Sequence, residues 1–195
     1  MNNKESNEQL LQKLYSPYLS CKQCPLALTT QHNFVCGQGN PNAHLMLLGE
    51  APGKHEDETG LPFVGKSGML LTKTLSCIGV DRNNIFITNS VKCRPPLNRK
   101  PTLEESRIYK NLFLLKEIEI IKPKVICTLG STALETLLEE PVKITTLRGK
   151  ELAFQDSILI PTYHPAYILR NPKEFPRWFS DLEKAYQLSE SNRKQ

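Results

Sequence analysis

Apolar and polar positions along the chain change period several times, and each change marks an element. The run HLMLLG (His44 to Gly49) is short and continuously apolar, as in a strand buried on both faces, whereas Leu70, Leu71, Leu75 and Ile78 recur at helical spacing. Ile85 to Thr88 reads as a second strand with Asn89 at its carboxyl end, and KVICTL (Lys124 to Leu129) as a third. Between them, Thr102 and Glu105 have capping-box spacing, and Ile108, Leu112, Leu115 and Ile118 carry an apolar face to about Ile121, where Lys122-Pro123 ends the helix. Gly130-Ser131 opens a short helix carrying Leu134, Leu137 and Leu138. Alternation around a turn at Gln155 to Ser157 predicts a strand pair, whose second member runs from Ile158 to Pro161. Leu10, Leu11 and Leu14 predict a first helix that stops near Ser16-Pro17, and Asn171, Pro172 and Glu174 suit the cap, first and third positions of a last one.

Strands alternating with helices predict an α/β fold: a three-layer αβα arrangement around a mostly parallel sheet covered on both faces. At 195 residues one domain is expected, here 21–190, preceded by a helical extension over 1–20. Hydrophobic content of 39% and charged content of 23% are those of an ordinary globular protein. No run approaches the ~20 apolar residues of a membrane span. The polar start, MNNKESNEQ, has no apolar segment of the secretory kind, so the cytoplasm is the expected compartment and no membrane partner is expected. There, six cysteines point to metal or cluster ligation, or to plain burial, rather than to a disulfide framework. A net charge of +5 suits a polyanionic partner without requiring one. No Walker-type phosphate loop is present, and no nucleotide cofactor is expected.

The longest constrained loop is GEAPGKHEDETGLPFVG, residues 49–65, between the first strand and the helix after it. In an open α/β sheet ligands bind beyond the carboxyl ends of strands, so this loop is a candidate site. Its path is set by Gly49, Gly53, Gly60, Pro52 and Pro62, and Glu50, Glu56 and Asp57 sit among them. A second loop, VKCRPPLNRKP, is stiff and basic, with Lys92, Arg94, Arg99 and Lys100 around its prolines. CKQC brings two thiols to the spacing that metal and cluster sites use. In HPAYILRNP, His164 stands before a proline, which holds the local backbone extended.

Taken together, CKQC, GEAPG, ED, G-x-PFVG-x-SG, TNSVKCRPPLNR and HPAYILRNP, in that order from about Cys21 to Leu188, resemble the iron-sulfur uracil-DNA glycosylases of family 4. The resemblance implies four central strands and excision of uracil from DNA, single- or double-stranded, by a monomer acting in base excision repair. Two other readings remain: a non-catalytic DNA- or base-binding relative, and a glycosylase for another deaminated base. Breaking the glycosidic bond builds positive charge on the sugar and negative charge on the base, so both must be stabilised and the base held outside the stack. Glu50 is the first candidate to orient the attacking water or face the cationic sugar. Glu56 is the second acidic candidate, which the resemblance puts near the C5 edge of the pyrimidine. A neutral His164 can donate to uracil O2, and the Asn89 carboxamide complements the N3-H donor and O4 acceptor of uracil. The resemblance adds stacking by Phe63 and backbone contacts around Glu50, Ala51 and Pro52. For the DNA strand the candidates are Arg94, Asn98, Arg99, Lys100, Tyr167, Leu169 and Arg170.

The family holds a 4Fe-4S cluster on four cysteines, and this chain departs from that pattern. Cys21, Cys24 and Cys93 match three of them, but the fourth position is Tyr109. Three arrangements stay open: a cluster with Tyr109 as an unusual ligand, a cluster recruiting Cys36, and no cluster. A zinc ion on the three thiolates is a lesser variant.

Overall fold

The computed structural model describes residues 5–20, 25–29 and 33–191. In chain order the elements are α1 (Asn7–Tyr15), α2 (Pro25–Thr29), β1 (Gln38–Gly39), β2 (Leu45–Gly49), α3 (Lys54–Thr59), α4 (Lys66–Cys77), β3 (Phe86–Asn89) and α5 (Leu103–Tyr109). They continue with α6 (Leu115–Ile121), β4 (Val125–Leu129), α7 (Ser131–Leu138), α8 (Ile144–Leu147), β5 (Leu152–Phe154), β6 (Ser157–Thr162), α9 (Pro165–Arg170) and α10 (Phe175–Glu190).

The strands form one sheet in the order β1-β3-β2-β4-β6-β5. The four central strands are parallel, with Leu47 beside both Ile87 and Cys127 and Cys127 beside Ile160. The expected set of four is therefore the core of the sheet, but the sheet has six strands, because antiparallel β1 and β5 extend its edges. The alternation around Gln155 predicts β5; β1 has only two residues, too few to show a period. Side chains alternate between two cores, as a pleated strand requires. Met46, Leu48, Phe86, Ile126 and Leu159 face one core. Leu45, Leu47, Ile87, Cys127 and Ile160 face the other. The first is covered by α1, α5, α6 and α7, and the second by α4, α9 and α10. Helix α1 packs against α6, with Leu11 and Tyr15 buried. Among the described residues no helix is long and apolar enough to cross a membrane.

Two helices differ from expectation. The segment from Leu103 to Ile121 is interrupted by a π-helical turn over Lys110–Leu114, which shifts the face carried by α6 relative to that of α5. Lys110 is buried there, and its ammonium donates to the Leu137 carbonyl at 2.9 Å, a demand that a 3.6-residue period does not reveal. The last helix starts at Phe175, after a 3-10 turn over Pro172–Glu174. Asn171 does not cap it: its side-chain amide turns back and donates to the Tyr167 carbonyl, closing α9.

The chain runs from β2 to β3 on one side and from β4 to β6 on the other, so connections diverge between β2 and β4 at their carboxyl ends. That divergence opens a crevice where an open α/β sheet binds ligands. The residues directly after β2 and β6, and the last residue of β3, meet there.

Candidate active site

A cavity of about 510 Å³ lies at this end of the sheet. Glu50 and Ala51 enter it after β2, Asn89 at the end of β3 and His164 before α9; Gly53, Glu56 and Phe63 come from the long loop, and Asn98 from the basic loop. Of the remaining site candidates, Tyr167 and Arg170 line it, whereas Arg94, Arg99, Lys100, Leu169 and the buried Pro52 do not. Ser67 and Ala166 also line it. Neither was singled out by motif, although Ser67 stands inside G-x-SG.

Close packing brings Asn89 and Phe63 together. A Cβ on Gly49 would lie 2.4 Å from the Asn89 Oδ1 and 2.4 Å from the Phe63 ring, so only glycine lets both approach the end of β2. Asn89 is 3% exposed, and its Oδ1 is buried without a hydrogen-bond partner. Buried acceptors are nearly always satisfied, which leaves this one ready for an N–H from a ligand. The backbone beneath it is pinned: the Asn89 carbonyl accepts from the Lys92 ammonium at 3.0 Å, and the Ser90 N–H and hydroxyl both reach the Gly49 carbonyl at 2.9 Å.

Phe63 adopts φ 53°, a left-handed conformation unusual for an aromatic residue, and the fold holds it there. The Arg82 guanidinium donates to the Phe63 carbonyl at 2.8 Å and also to the Pro62 carbonyl, and is itself tied to Thr72. A Cβ on Gly68 would strike the Phe63 carbonyl, so α4 closes on the loop only through a glycine. The Phe63 ring is consequently one fixed wall of the cavity, 6.0 Å between centroids from the imidazole of His164.

The two glutamates separate into different tasks. Glu56 accepts from the Gly53 N–H at 3.1 Å with one oxygen and from the Val64 and Gly65 N–H groups at 2.9 and 2.8 Å with the other. It thereby staples the two ends of the loop. Among the described residues no side-chain hydrogen bond engages Glu50, which leaves its carboxylate available at the cavity.

His164 caps α9. Its Nδ1 accepts from the Ala166 N–H at 3.1 Å, so the neutral ring must carry its proton on Nε2. Burial, reinforced by the charge of Arg170 and opposed by Glu56, pushes its pKa down to about 4. The imidazole is thus a neutral donor throughout the ordinary pH range. Sign follows directly: between about 6.5 and 4 the unfolded chain binds the proton that the folded ring refuses, so stability falls as pH drops through that window. The effect is at most roughly 3 kcal/mol and should vanish in His164→Asn. Ring 15N spectra should show the Nε2-protonated tautomer unchanged at pH 5.5; a titration centred near 6.5 would refute the assignment.

The basic candidates are unequally placed. Lys92 is not on the surface at all: it is wholly buried and pairs with Glu117 at 2.6 Å, which also accepts from Thr88 and Tyr15. Arg99 makes a bidentate pair with Glu105 at 2.7 and 2.8 Å, and Lys100 pairs with Glu135. Arg94 donates to the Asn98 side chain at 2.8 Å, while Leu169 is 46% exposed.

Of the thiols, Cys21 and Cys24 lie outside the described residues. Cys93 and Tyr109 are both buried in the core that holds Leu26, Ala27 and Phe113, and the Tyr109 ring packs on Phe113 at 5.8 Å. Cys36 sits at the border of that core; burial, with Glu117 adding and Lys92 opposing, pushes its thiol up to about 11. Cys127 lies mid-strand and Cys77 is exposed. Among the described residues no three His, Cys, Asp or Glu side chains converge as a metal site. A phenol at the fourth position does not fit a four-thiolate cluster.

Residues 36–187 match the description of the uracil DNA glycosylase superfamily. Among curated proteins, the chain is 44% identical over 184 residues to the type-4 uracil-DNA glycosylase of Thermotoga maritima, covering 92% of this chain and 95% of that protein. It is 41% identical to the type-4 enzyme of Sulfurisphaera tokodaii, covering 92% of this chain and 84% of that one. It is 43% identical to the type-4 enzyme of Pyrobaculum aerophilum, covering 83% of this chain and 86% of that one.

Proposed function

The chain belongs to the uracil DNA glycosylase superfamily, and from that premise we propose that it is a uracil-DNA glycosylase that hydrolyses the N-glycosidic bond of deoxyuridine and leaves an abasic site for base excision repair. The observation that carries the reading is the unpartnered, buried Oδ1 of Asn89, a residue that lines one cavity with Phe63, His164 and Glu50. A flipped uracil stacks on Phe63. Asn89 accepts from N3-H with Oδ1 and donates to O4 with its amide. As the bond to the sugar lengthens, the His164 Nε2-H donates to O2, where the departing base gathers negative charge. Glu50 holds the attacking water or opposes the cationic sugar. Glu56, earlier a second catalytic candidate, is assigned instead to holding the loop, since its oxygens are occupied by three amides.

A non-catalytic base-binding relative has no need of a donor poised at O2, and this favours the enzyme. Purified protein incubated with a uracil-containing oligonucleotide and then treated with alkali should give a break at uracil without added metal or nucleotide. Binding without an abasic site would leave the relative as the answer. The substrate is DNA, double- or single-stranded, the working unit a monomer, and the compartment the cytoplasm.

For the cofactor, the donor set supports a vacated cluster position in which Tyr109 packs among Cys93, Leu26, Ala27 and Phe113. The roles of Glu50, Phe63, Asn89 and His164 require no cluster. Anaerobically purified protein should be colourless, with iron and sulfide far below about four atoms each per chain. Tyr109→Cys, which completes four thiols, should turn it brown. Iron and sulfide near that level in the parent would overturn the assignment.

A further inference from the structure

One large apolar side chain stands almost wholly in solvent. Leu97 is 97% exposed, far beyond Leu103 at 74%, and it sits next to Asn98, which lines the cavity. Its exposure is built, not incidental. Leu97 has φ 54° and ψ 22°, and Asn98 follows with φ 56°: two consecutive left-handed non-glycine residues, an arrangement that persists only where the surroundings enforce it. The Asn98 N–H reaches the Pro95 carbonyl and the Arg99 N–H the Pro96 carbonyl, each at 3.1 Å. Arg94 holds the Asn98 side chain, and Arg99 anchors the loop to α5 through Glu105. Two prolines and these bonds leave the loop tip little freedom.

The setting of the tip identifies its partner. A protein surface would meet Leu97 with further apolar residues around it; here, beyond Pro95, Pro96 and Asn98, the chain carries Arg94 on one side and Arg99 and Lys100 on the other. An apolar point inside a cationic collar matches a stack of bases flanked by phosphates. Leu169, 46% exposed on α9, stands between Tyr167 and Arg170, which line the cavity.

We propose that Leu97 is a positioning residue that enters the DNA stack next to the flipped nucleotide, so that the loops bearing Leu97 and Leu169 grip the duplex on two sides of the pocket. The proposal rests on the glycosylase reading. It explains why the fold tolerates a strained leucine at a loop tip: the left-handed backbone lifts the side chain clear of the protein surface.

Such a wedge matters where the base must be taken out of a paired stack and little where the strand is already open. Single-turnover rates of Leu97→Ala are therefore compared with the parent on uracil paired with adenine and on single-stranded DNA. The duplex-to-single-strand ratio should fall about tenfold. Leu97→Met should restore it. Leu97→Asn, which tolerates a left-handed backbone, should behave like the alanine variant, separating side chain from backbone. Because the side chain touches almost nothing in the protein, thermal stability should not move. A second readout needs no turnover: 2-aminopurine next to uracil should brighten when the parent binds duplex and brighten less with Leu97→Ala. An unchanged ratio with unchanged fluorescence would overturn the proposal. If the parent cuts neither substrate, the glycosylase reading fails, and the fluorescence alone decides on the wedge.

Discussion

Asn89→Asp is expected to lower kcat/KM for uracil by about five- to 150-fold, equivalent to about 1–3 kcal/mol of lost transition-state stabilisation. The reason lies in donor count. A carboxylate accepts but cannot donate, so O4 of uracil would meet a like partial charge in a site from which water has been excluded, while N3-H keeps its acceptor. Cytosine offers an N4 amino donor at that edge, and the aspartate should admit it to a measurable extent. Gly49 permits this reading, because any Cβ there would lie 2.4 Å from Oδ1 and displace the carboxamide. Parallel single-turnover assays with uracil and cytosine in the same sequence context give both numbers. Parental rates on uracil would remove Asn89 from base recognition.

Lys92→Met should cost about 3–5 kcal/mol of folding stability, because it leaves the Glu117 carboxylate buried without its cation. Tyr15 and Thr88 still donate to Glu117, but neutral donors do not replace an ammonium 2.6 Å away. The double variant Lys92→Met with Glu117→Leu removes both charges and should recover most of the loss, as seen in the midpoint of urea unfolding. Equal destabilisation in the single and double variants would show that packing, not the orphaned charge, is responsible. Activity supplies an independent reading. Lys92 also donates to the Asn89 carbonyl, so the double variant should fold yet excise uracil more slowly.

The parallel core was legible because its strands are buried on both faces: LMLLG and VICTL announce themselves by composition alone. For the same reason the sequence places Glu50, Asn89 and His164 at strand ends, and one cavity takes all three. Other features depend on partners distant in sequence. Lys92 sits in a run of cations and reads as part of a basic surface, yet Glu117 draws it inside. Glu56 and Glu50 look alike in the loop, and only the three amides around Glu56 separate them. Arg82 carries no motif, because what it binds is backbone. Leu97 shows the opposite limit: a leucine in sequence implies burial, and nothing in its neighbours announces that two left-handed residues will expose it.

The staple formed by Glu56 bears on how damage is found. Since the loop is tied from Gly53 to Gly65 by bonds internal to the protein, the mould for the base exists before nucleic acid arrives, and the energy of its ordering is already spent in folding. All the yielding then falls to the duplex. A nucleotide that swings out readily is then expected to reach this mould more often than one held firmly in its pair.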